Sequence, residues 1–377
     1  MTDATKVKRG GDKMGLGTLS QMLEYDHEQV VFCQNNEVGL KAIIAIHNTA
    51  LGPALGGTRM WHYKTEQEAL EDVLRLSHGM TYKAAVAGLR LGGGKAVIIG
   101  DPKHDKKPGF FEAYGRFVDT LAGRYITAED VGTTVSDMEA VRSQTTAVVG
   151  TNRDHGGSGD PSPYTARGVY LGIKAAVKKT FSSDSLAGKH VAIKGVGNVG
   201  RNLTELLLKE DAQVTIADID LEKVKMVQAK HPEVKVVTDE QIMEIECDVF
   251  SPCALGGGIN DKTIASFKCP IIAGGANNQL AGPEHAHVLR EKGILYVPDY
   301  VINAGGLINV SLEITGYDEK KSLELVDDIY FKVLKIFELA DKKNISTAKA
   351  ADQLVEEMLH IEPTKRIHVA QSATVGS

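Results

Sequence analysis

Long apolar stretches are missing from this sequence of 377 residues. None approaches the roughly 18–20 apolar residues that a membrane-spanning helix needs. The basic residues Lys6, Lys8 and Arg9 are not followed by the apolar segment of a signal peptide, so they do not indicate a secretory signal. We therefore expect a cytoplasmic protein with no membrane partner.

Cysteine is scarce as well. The four cysteines, Cys33, Cys247, Cys253 and Cys269, have neither C-x-x-C spacing nor the density of a disulfide-stapled domain. We therefore expect reduced thiols.

A metal-binding motif is also missing. The twelve histidines form no H-E-x-x-H pattern, which would place two zinc ligands on one helix face. His285 and His287 are predicted to face solvent on a helix. No metal is predicted.

Positive charge is not in excess, because 43 Lys and Arg stand against 49 Asp and Glu, giving a formal net charge of −6. This balance argues against nucleic acid as a partner. With 42% hydrophobic and 24% charged residues, the composition is that of an ordinary globular protein. The length predicts two or three domains of roughly 100–200 residues each.

The most informative feature that the chain does contain is a glycine-rich turn. Gly195, Gly197 and Gly200 fit G-x-G-x-x-G between an apolar run at 190–193 and helical spacing at 198–209. In such a turn the first glycine permits the tight bend, the second lets the backbone approach a pyrophosphate, and the third lets the helix pack on the strand. The phosphates would lie at the helix N-terminus, where free N–H groups favour anions.

An acid completes this unit. A second strand-like run at 213–217 ends at Asp218, 18 residues after Gly200. This is close to the roughly 20-residue offset at which a carboxylate meets the adenosine ribose. Because Asp218 would repel a 2′-phosphate and no Arg lies at 219–221, we predict NAD rather than NADP. A glycine pattern alone is equally typical of a simple strand-to-helix turn, and the flanking strands, helix and acid favour the nucleotide site.

Strand and helix signals alternate along most of the chain. Strands are predicted at 29–33 and 41–47, and Thr65 with Glu68 predicts a capping box before a helix that runs to about Met80. Later strands are predicted within 248–253, 270–275 and 294–298, and long helices at 322–340 and 346–360. This alternation indicates a parallel sheet with helices on both faces.

Two lysines stand in unusual surroundings. Lys83 ends Met-Thr-Tyr-Lys, and Lys95 follows three glycines at 92–94, which suggest close approach by a ligand or another backbone. A P-loop is excluded, because it requires Gly at 89 and Ser or Thr at 96, where the chain has Leu89 and Ala96. A lysine shielded from water near a second cation has a lowered pKa and can act as a base. Lysine is otherwise usually a solvated surface residue.

Two polar residues follow predicted strands. Asp130 comes after the run 125–127, and Asn303 comes soon after the strand that ends near Pro298. Strand ends are favoured catalytic positions in α/β folds. The structural alternatives are that Asp130 caps the following turn or helix and that Asn303 is a helix N-cap.

Together these residues resemble the family of glutamate, leucine, phenylalanine and valine dehydrogenases, and within it most closely the leucine dehydrogenases. The resemblance runs from about Leu23 to about Glu356. Seven motifs carry it in order: LGPALGGTR at 51–59, MTYK at 80–83, GGGK at 92–95, AEDVGT at 128–133, the glycine pattern at 195–200, PCALG at 252–256 and PDYVINAGG at 298–306.

The resemblance implies reversible, NAD-dependent oxidative deamination of an L-amino acid to a 2-oxo acid and ammonia, with hydride passing from Cα to nicotinamide. Lys83 would bind the substrate α-carboxylate and help to keep Lys95 unprotonated. Lys95 would be the base for the attacking water, and Asp130 would handle protons at the amino group.

Further residues border the substrate or the cofactor in relatives. On the substrate side the matching residues are Gly56, Gly57, Met80 and Asn303. On the cofactor side, besides the three glycines and Asp218, they are Asn198, Val199, Thr165, Cys253, Ala254 and Asn277.

The substrate side-chain pocket implied by the resemblance is apolar, with Leu55, Ala128, Leu307 and Val310 as its lining. A glutamate carboxylate would be buried there without a partner, so glutamate is rejected. We predict branched-chain substrates, leucine first, then valine and isoleucine.

Two departures from the leucine dehydrogenase pattern leave alternatives open. Leu307 stands where those enzymes often carry Val, and Val149-Gly150 replaces their usual Thr-Gly. Phenylalanine or tryptophan is therefore the alternative substrate. An NAD-binding sensor without catalysis is a remote alternative, which the presence of Lys83, Lys95 and Asp130 opposes.

The expected architecture is α/β with two domains separated by a cleft: an N-terminal catalytic domain at 1–150 and a Rossmann-type, doubly wound NAD-binding domain at 151–345. Residues 346–377 are expected to return to the first domain. The stretch 151–163, rich in Gly and Pro, is predicted to be a hinge. The resemblance also implies a homo-oligomer, often an octamer.

Overall fold

The computed structural model describes residues 17–254 and 256–361. Predictions for residues 1–16, for Leu255 and for residues 362–377 lie outside the described residues. The described chain forms two lobes, each built on one β-sheet. We call them the first lobe, on a five-stranded sheet, and the second lobe, on a six-stranded sheet.

The first lobe has a mixed sheet. Its strands are β1 (Gln29–Asn35), β2 (Leu40–Asn48), β3 (Ala54–Trp61), β4 (Gly92–Ile99) and β5 (Tyr125–Glu129). Its helices are α1 (Thr18–Tyr25), α2 (Glu66–Val86), α3 (Phe110–Asp119) and α4 (Val135–Arg142). The strand order is β1-β2-β4-β3-β5, with β3 parallel to both β4 and β5. The ends of these three strands therefore lie together at one edge, where their following residues can meet.

Helix α2 begins almost as predicted and ends later. Thr65 accepts a hydrogen bond from the Glu68 amide at 3.1 Å, but the Glu68 carboxylate bonds the amide of Lys64 rather than that of Thr65. The predicted box is therefore half formed. The helix runs six residues past Met80 to Val86, because residues 84–86 are apolar and buried.

The second lobe has a parallel sheet flanked by helices. Its strands are β6 (His190–Lys194), β7 (Gln213–Ala217), β8 (Lys235–Val236), β9 (Val249–Pro252), β10 (Ile271–Ile272) and β11 (Leu295–Tyr296). Helices α5 (Ser162–Phe181), α6 (Asn198–Leu208), α7 (Leu221–Lys230), α8 (Asp261–Ser266) and α9 (Glu284–Glu291) accompany them. After the sheet come α10 (Asp299–Ile302), α11 (Gly305–Ser311), α12 (Glu319–Asp327), α13 (Ile329–Lys343) and α14 (Thr347–Ile361).

The strand order β11-β10-β9-β6-β7-β8 confirms the doubly wound prediction. From the centre of this parallel sheet, β6, β7 and β8 follow one another toward one side, and β9, β10 and β11 follow one another toward the other side. The strand order therefore reverses between β6 and β9. Ligands of such sheets bind at the carboxyl ends of the strands beside this reversal. The glycine pattern follows β6 directly, which puts it at that point.

Two local predictions in the second lobe are wrong. The helix predicted over 322–340 is two helices, α12 and α13, which are interrupted at Asp328. His285 is buried, only 5% exposed, because its ring turns back on the start of α9 and contacts Gly282. His287 is exposed as predicted.

The lobes are joined by residues 150–161 and by packing of α14 on α2. Glu313 fastens the connection, because its two carboxylate oxygens accept hydrogen bonds from the amides of Gly150 and Ser158, each at 2.8 Å. Residues 85–87, at and just after the end of α2, belong to the same hydrophobic cluster as Ala350 and Ala351 of α14. The domain limits predicted at residues 150 and 345 stay a prediction.

Candidate active site

A cleft of about 630 Å³ lies between the two lobes. Fourteen of the residues predicted for the site line it. From the first lobe these are Leu55, Gly56, Gly57, Met80, Lys83, Lys95, Ala128 and Asp130. From the second lobe they are Thr165, Val199, Asn277, Asn303, Leu307 and Val310.

Strand register brings Lys95 and Asp130 together. The central strand β3 pairs with β4 on one side and β5 on the other. Lys95 Nζ lies 2.9 Å from Asp130 Oδ2 across it. Gly57 lies between them, and a Cβ there would come within 2.5 Å of the Glu129 carbonyl oxygen and 2.9 Å of Asp130 Cβ. A glycine at 57 is therefore needed for this approach.

Asp130 is a partly buried carboxylate, 25% exposed, that is held ionised by two cations. Burial works to raise its pKa, but the charges of Lys95 and then Arg59 outweigh burial and lower the pKa to about 2. Arg59 Nε lies 3.1 Å from the same oxygen, Oδ2. The alternative that Asp130 caps the following helix is wrong, because Thr134 caps α4.

Two of the three glycines before Lys95, Gly92 and Gly93, are explained by backbone contact, whereas an added Cβ at Gly94 would meet the ring of Tyr125. A Cβ on Gly93 would lie 2.0 Å from the amide nitrogen of Thr81, so α2 rests directly on β4. Of the two alternatives, ligand or backbone, these contacts favour the backbone. The same packing holds Lys83, two residues further along α2, over the sheet edge.

Lys83 reaches across the cleft. Its Nζ donates a 3.0 Å hydrogen bond to Asn277 Oδ1 of the second lobe. Burial lowers the pKa of Lys83 to about 8; the charge of Lys95 adds to this effect, whereas that of Asp299 opposes it. At neutral pH Lys83 is a cation whose charge is incompletely compensated, as an anion-binding group should be.

Asn303 is not a helix N-cap, because Ala304 precedes α11 in that position. Its Nδ2 donates to Asn277 Oδ1 at 2.8 Å and to the Gly275 carbonyl at 3.3 Å. Its Oδ1 is buried with no hydrogen-bond partner among the described residues. This oxygen is available to accept an N–H from a ligand in the cleft.

The three glycines of the turn and Asp218 lie at the carboxyl ends of β6 and β7, outside the lining of the cleft, whereas Val199 of the same turn lines it. Gly195 has φ +99°, a conformation that favours glycine, and a Cβ on Gly200 would lie 2.0 Å from the Gly195 carbonyl oxygen. Gly197 faces open space, with no atom within 4 Å of an added Cβ. Asp218 accepts the Val196 amide through Oδ2 at 2.8 Å. An open concavity at the start of α6 with a carboxylate beside it fits a dinucleotide.

The remaining cofactor candidates surround this turn. Asn198 begins α6 and accepts a bond from Arg201 at 2.6 Å. Cys253 and Ala254 do not line the cleft. Ala254 packs against Gly195, and Cys253 Sγ accepts the Gly275 amide at 3.4 Å, so both support the turn from below.

The predicted side-chain pocket is apolar and spans the lobes. Leu55 and Leu307 are buried in the same hydrophobic cluster, and Ala128 and Val310 pack against it. All four face the cleft.

Sequence analysis missed several charged residues of the cleft, among them Arg59 and Asp299. Arg59 stands two residues after Gly57 on β3, so the alternation of side chains in a strand could have placed it on the face of Gly57. Asp299 is a buried carboxylate whose pKa is raised by burial. No sequence pattern places it near Lys83, because the two lie on different lobes.

Comparison with known proteins now decides the family. The description "Glu/Leu/Phe/Val dehydrogenase, dimerisation domain" matches residues 27–147, and "Glutamate/Leucine/Phenylalanine/Valine dehydrogenase" matches residues 156–355. The chain belongs to the Glu/Leu/Phe/Val dehydrogenase family. It is therefore an amino-acid dehydrogenase, which implies a nicotinamide cofactor, and the resemblance seen in the sequence is confirmed.

Individual members of this family are highly similar to the chain. A leucine dehydrogenase from Geobacillus stearothermophilus is 55% identical over 338 residues, covering 90% of this chain and 92% of that protein. A phenylalanine dehydrogenase from Lysinibacillus sphaericus is 48% identical, covering 90% of each. The crystal structure of L-tryptophan dehydrogenase from Nostoc punctiforme has 46% identity and a TM-score of 0.81, covering 91% of this chain and 99% of that one.

Two features are absent from residues 17–254 and 256–361. No helix in this part of the chain is long and apolar enough to cross a membrane. The same residues include no cluster of three or more His, Cys, Asp or Glu side chains suited to a metal ion.

Proposed function

We propose that this dehydrogenase catalyses the NAD-dependent oxidative deamination of branched-chain L-amino acids, leucine first, in branched-chain amino acid catabolism. The observation that carries the proposal is the cleft itself. Lys83, Lys95 and Asp130 converge there beside the apolar residues Leu55 and Leu307. Cationic, basic and acidic groups thus surround the position of an amino-acid backbone, with room for an aliphatic side chain next to it.

Each charged side chain has a separate task. Lys83 binds the α-carboxylate, because its positive charge faces the cleft and is only partly compensated. Asp130 is ionised and receives the proton of the substrate amino group. Lys95, 2.9 Å from Asp130, takes a proton from the water that becomes the oxo oxygen of the product when its own amine is in the neutral form. Gly56, Gly57 and Met80 shape the cleft around the backbone, and Asn303 Oδ1 accepts an N–H.

NAD is the proposed cofactor, and when bound it accepts the hydride. The turn Gly195 to Gly200, with Asn198 and Val199, would hold the pyrophosphate, and Asp218 would hold the adenosine ribose. A carboxylate at 218 disfavours a 2′-phosphate. Thr165, Asn277, Cys253 and Ala254 would border the nicotinamide.

Substrate choice follows from the pocket wall. Leu55, Ala128, Leu307 and Val310 offer no partner to a charged side chain, so glutamate would be bound poorly. The relatives with 51–55% identity are leucine dehydrogenases, which supports leucine. Phenylalanine or tryptophan is the second candidate substrate, supported by the 46% sequence identity to the L-tryptophan dehydrogenase from Nostoc punctiforme.

The decisive experiment measures NADH formation with NAD and, in turn, leucine, valine, isoleucine, phenylalanine, tryptophan and glutamate. We expect leucine to give the highest kcat/KM and Lys95→Ala to abolish turnover. Lys103→Ala, a change at an exposed lysine of the same lobe, is the matched control. A higher kcat/KM with phenylalanine or tryptophan than with leucine would replace the substrate proposal. No turnover with any of the six amino acids would refute the function.

The protein is further proposed to act as a cytoplasmic homo-oligomer, an octamer by analogy with the family. Strand β1 supports self-association, because it pairs with β2 alone among the described strands and leaves its other edge open, with Phe32 50% exposed. The four cysteines are free thiols, as in reducing compartments. Sedimentation equilibrium would give the number of subunits, and a monomer would overturn this part of the proposal.

A further inference from the structure

Arg59 connects the catalytic carboxylate to helix α2. Its Nε lies 3.1 Å from Asp130 Oδ2, and its terminal nitrogen Nη1 lies 2.9 Å from Asp72 Oδ2. The side chain is 23% exposed. A planar guanidinium can make two such contacts at once in a fixed geometry, which an ammonium cannot.

Strand geometry explains why residue 59 occupies this position. Thr58 of β3 pairs with Glu129 of β5, so the next residues along the parallel strands, Arg59 and Asp130, lie side by side. Arg59 and Gly57 are two residues apart and project from the same face of the sheet. The absent side chain at 57 leaves space for Asp130 on that face.

Asp72 is itself held firmly. Its carboxylate accepts hydrogen bonds from the Tyr63 hydroxyl and from Arg75, both at 2.7 Å. Burial works to raise the pKa of Asp72, but the Tyr63 hydroxyl, Arg59 and Arg75 together outweigh burial and lower it. Asp72 is therefore a fixed anion on α2 that determines where the Arg59 guanidinium can lie.

We propose that Arg59 is a positioning residue that orients Asp130 for proton exchange with the substrate amino group, and that Asp72 acts by holding Arg59. This inference rests on the proposed deamination. Asp130 Oδ2 is shared between Lys95 and Arg59, so neither cation alone determines its direction. Without Arg59 the carboxylate turns toward Lys95, away from the amino group and onto the side chain that must be free to act as the base.

The first test is Arg59→Met, which removes the charge and both contacts while keeping an unbranched side chain. The fold should persist, because Asp130 retains Lys95 and Asp72 retains Tyr63 and Arg75. We expect kcat with leucine to fall about 100-fold, within the range for a displaced general acid or base. The KM for NAD and the inhibition constant of 4-methylpentanoate, a leucine analogue without the amino group, should change less than about threefold.

This contrast between turnover and binding separates positioning from a structural defect. A merely structural role would weaken inhibitor and cofactor binding together with kcat, and that outcome would overturn the inference. So would a kcat within about threefold of the unmodified enzyme. Arg124→Gln, which removes an exposed arginine of the same lobe that pairs with Glu28, serves as the matched control.

Two further variants test the chain of contacts. Arg59→Lys keeps the charge but cannot reach both carboxylates, so its kcat should be about tenfold higher than that of Arg59→Met and still below that of the unmodified enzyme. Asp72→Asn should lower kcat about tenfold in the natural background and less than twofold in Arg59→Met, because Asp72 acts through Arg59. Equal effects of Asp72→Asn in both backgrounds would refute the link.

The unmodified enzyme is assayed first with all six amino acids, which separates the two proposals. If it oxidises none, the proposed function fails and this inference fails with it. If it is active and Arg59→Met is equally active, the positioning inference alone fails.

Discussion

At the scale of single residues, Lys83 illustrates how burial adjusts a charge to its task. Its ammonium approaches Asn277, a neutral partner, and no carboxylate lies within ion-pair distance of it among the described residues. Burial, aided by Lys95, lowers its pKa to about 8. Lys83 is therefore charged at neutral pH but loses its proton in mildly alkaline solution.

This shift predicts a pH dependence of carboxylate binding. A lowered lysine pKa means that the charged form is present below about pH 8 and is lost above it, so the inhibition constant of 4-methylpentanoate should rise about tenfold per pH unit above that value. Because the inhibitor has no amino group, its own titration does not interfere. Competition assays against leucine, run between about pH 6 and pH 10, measure the inhibition constant of 4-methylpentanoate as a function of pH.

Lys83→Arg is the matched control for that prediction. Arginine stays protonated up to a pH of about 12, so the inhibition constant of this variant should be flat over the same range. A flat profile for the unmodified enzyme would contradict the assignment of the α-carboxylate to Lys83.

Leu307 gives the second prediction at this scale. It is 9% exposed and faces the cleft, so Leu307→Ala enlarges the apolar pocket. The ratio of kcat/KM for phenylalanine to that for leucine should rise about tenfold or more, since one methylene in an apolar pocket is worth about 1–3 kcal/mol and this change removes three carbon atoms. Leu323→Ala, at a more exposed leucine on α12, should leave the ratio unchanged. An unchanged ratio in Leu307→Ala would remove this residue from the specificity pocket.

At the scale of secondary-structure elements, glycines show where the backbone is crowded. Gly57→Ala would place a methyl group 2.5 Å from the Glu129 carbonyl oxygen, and separating β3 from β5 should lower the free energy of unfolding by about 1–3 kcal/mol. Gly79→Ala lies in the interior of α2 with open space around it, and should raise that free energy by about 1 kcal/mol. Urea denaturation of both variants measures these two free-energy changes, which should have opposite signs. Equal changes in the two variants would contradict the close packing of β3 on β5.

The elements were predictable where the local pattern was strong. Strand β6, the glycine turn, helix α6 and strand β7 follow the prediction closely, because apolar runs and glycines determine them locally. The end of α2 was not predictable, since residues 85 and 86 are buried in one hydrophobic cluster with Ala350 and Ala351 of α14, far away in the chain. The sequence leaves a helix cap as an alternative for Asn303, because it does not reveal the hydrogen bond of Asn303 to Asn277.

At the scale of the whole molecule, the connection between the lobes determines how the cleft can move. Glu313 binds the amides of Gly150 and Ser158 with separate oxygens. In Glu313→Gln one of these amides loses its acceptor, which costs about 1–3 kcal/mol of local stability. Hydrogen exchange of residues 150–158 should accelerate about tenfold or more, whereas Glu338→Gln, at an exposed surface position, should have no effect. Unchanged exchange would show that the connection is stabilised elsewhere.

The site as a whole was predictable only in part. Its residues could be named from their motifs, but the sequence does not bring Lys83 to Asn277, which are 194 residues apart. Nor does it show that Arg59 and Asp72 extend the site to α2. These contacts depend on the orientation of the two lobes and on the order of the strands, which are properties of the tertiary structure.

The packing of α14 on α2 means that the lobes do not depend on a single covalent link. Residues 152–156 are exposed, so trypsin can cleave the chain after Arg153. The hydrophobic cluster that includes residues 85–87, Ala350 and Ala351 would still hold the two pieces together. Cleaved protein should therefore elute in gel filtration at the volume of the intact protein. The same reasoning suggests that two separately produced fragments, divided in this loop, could reassemble into one enzyme.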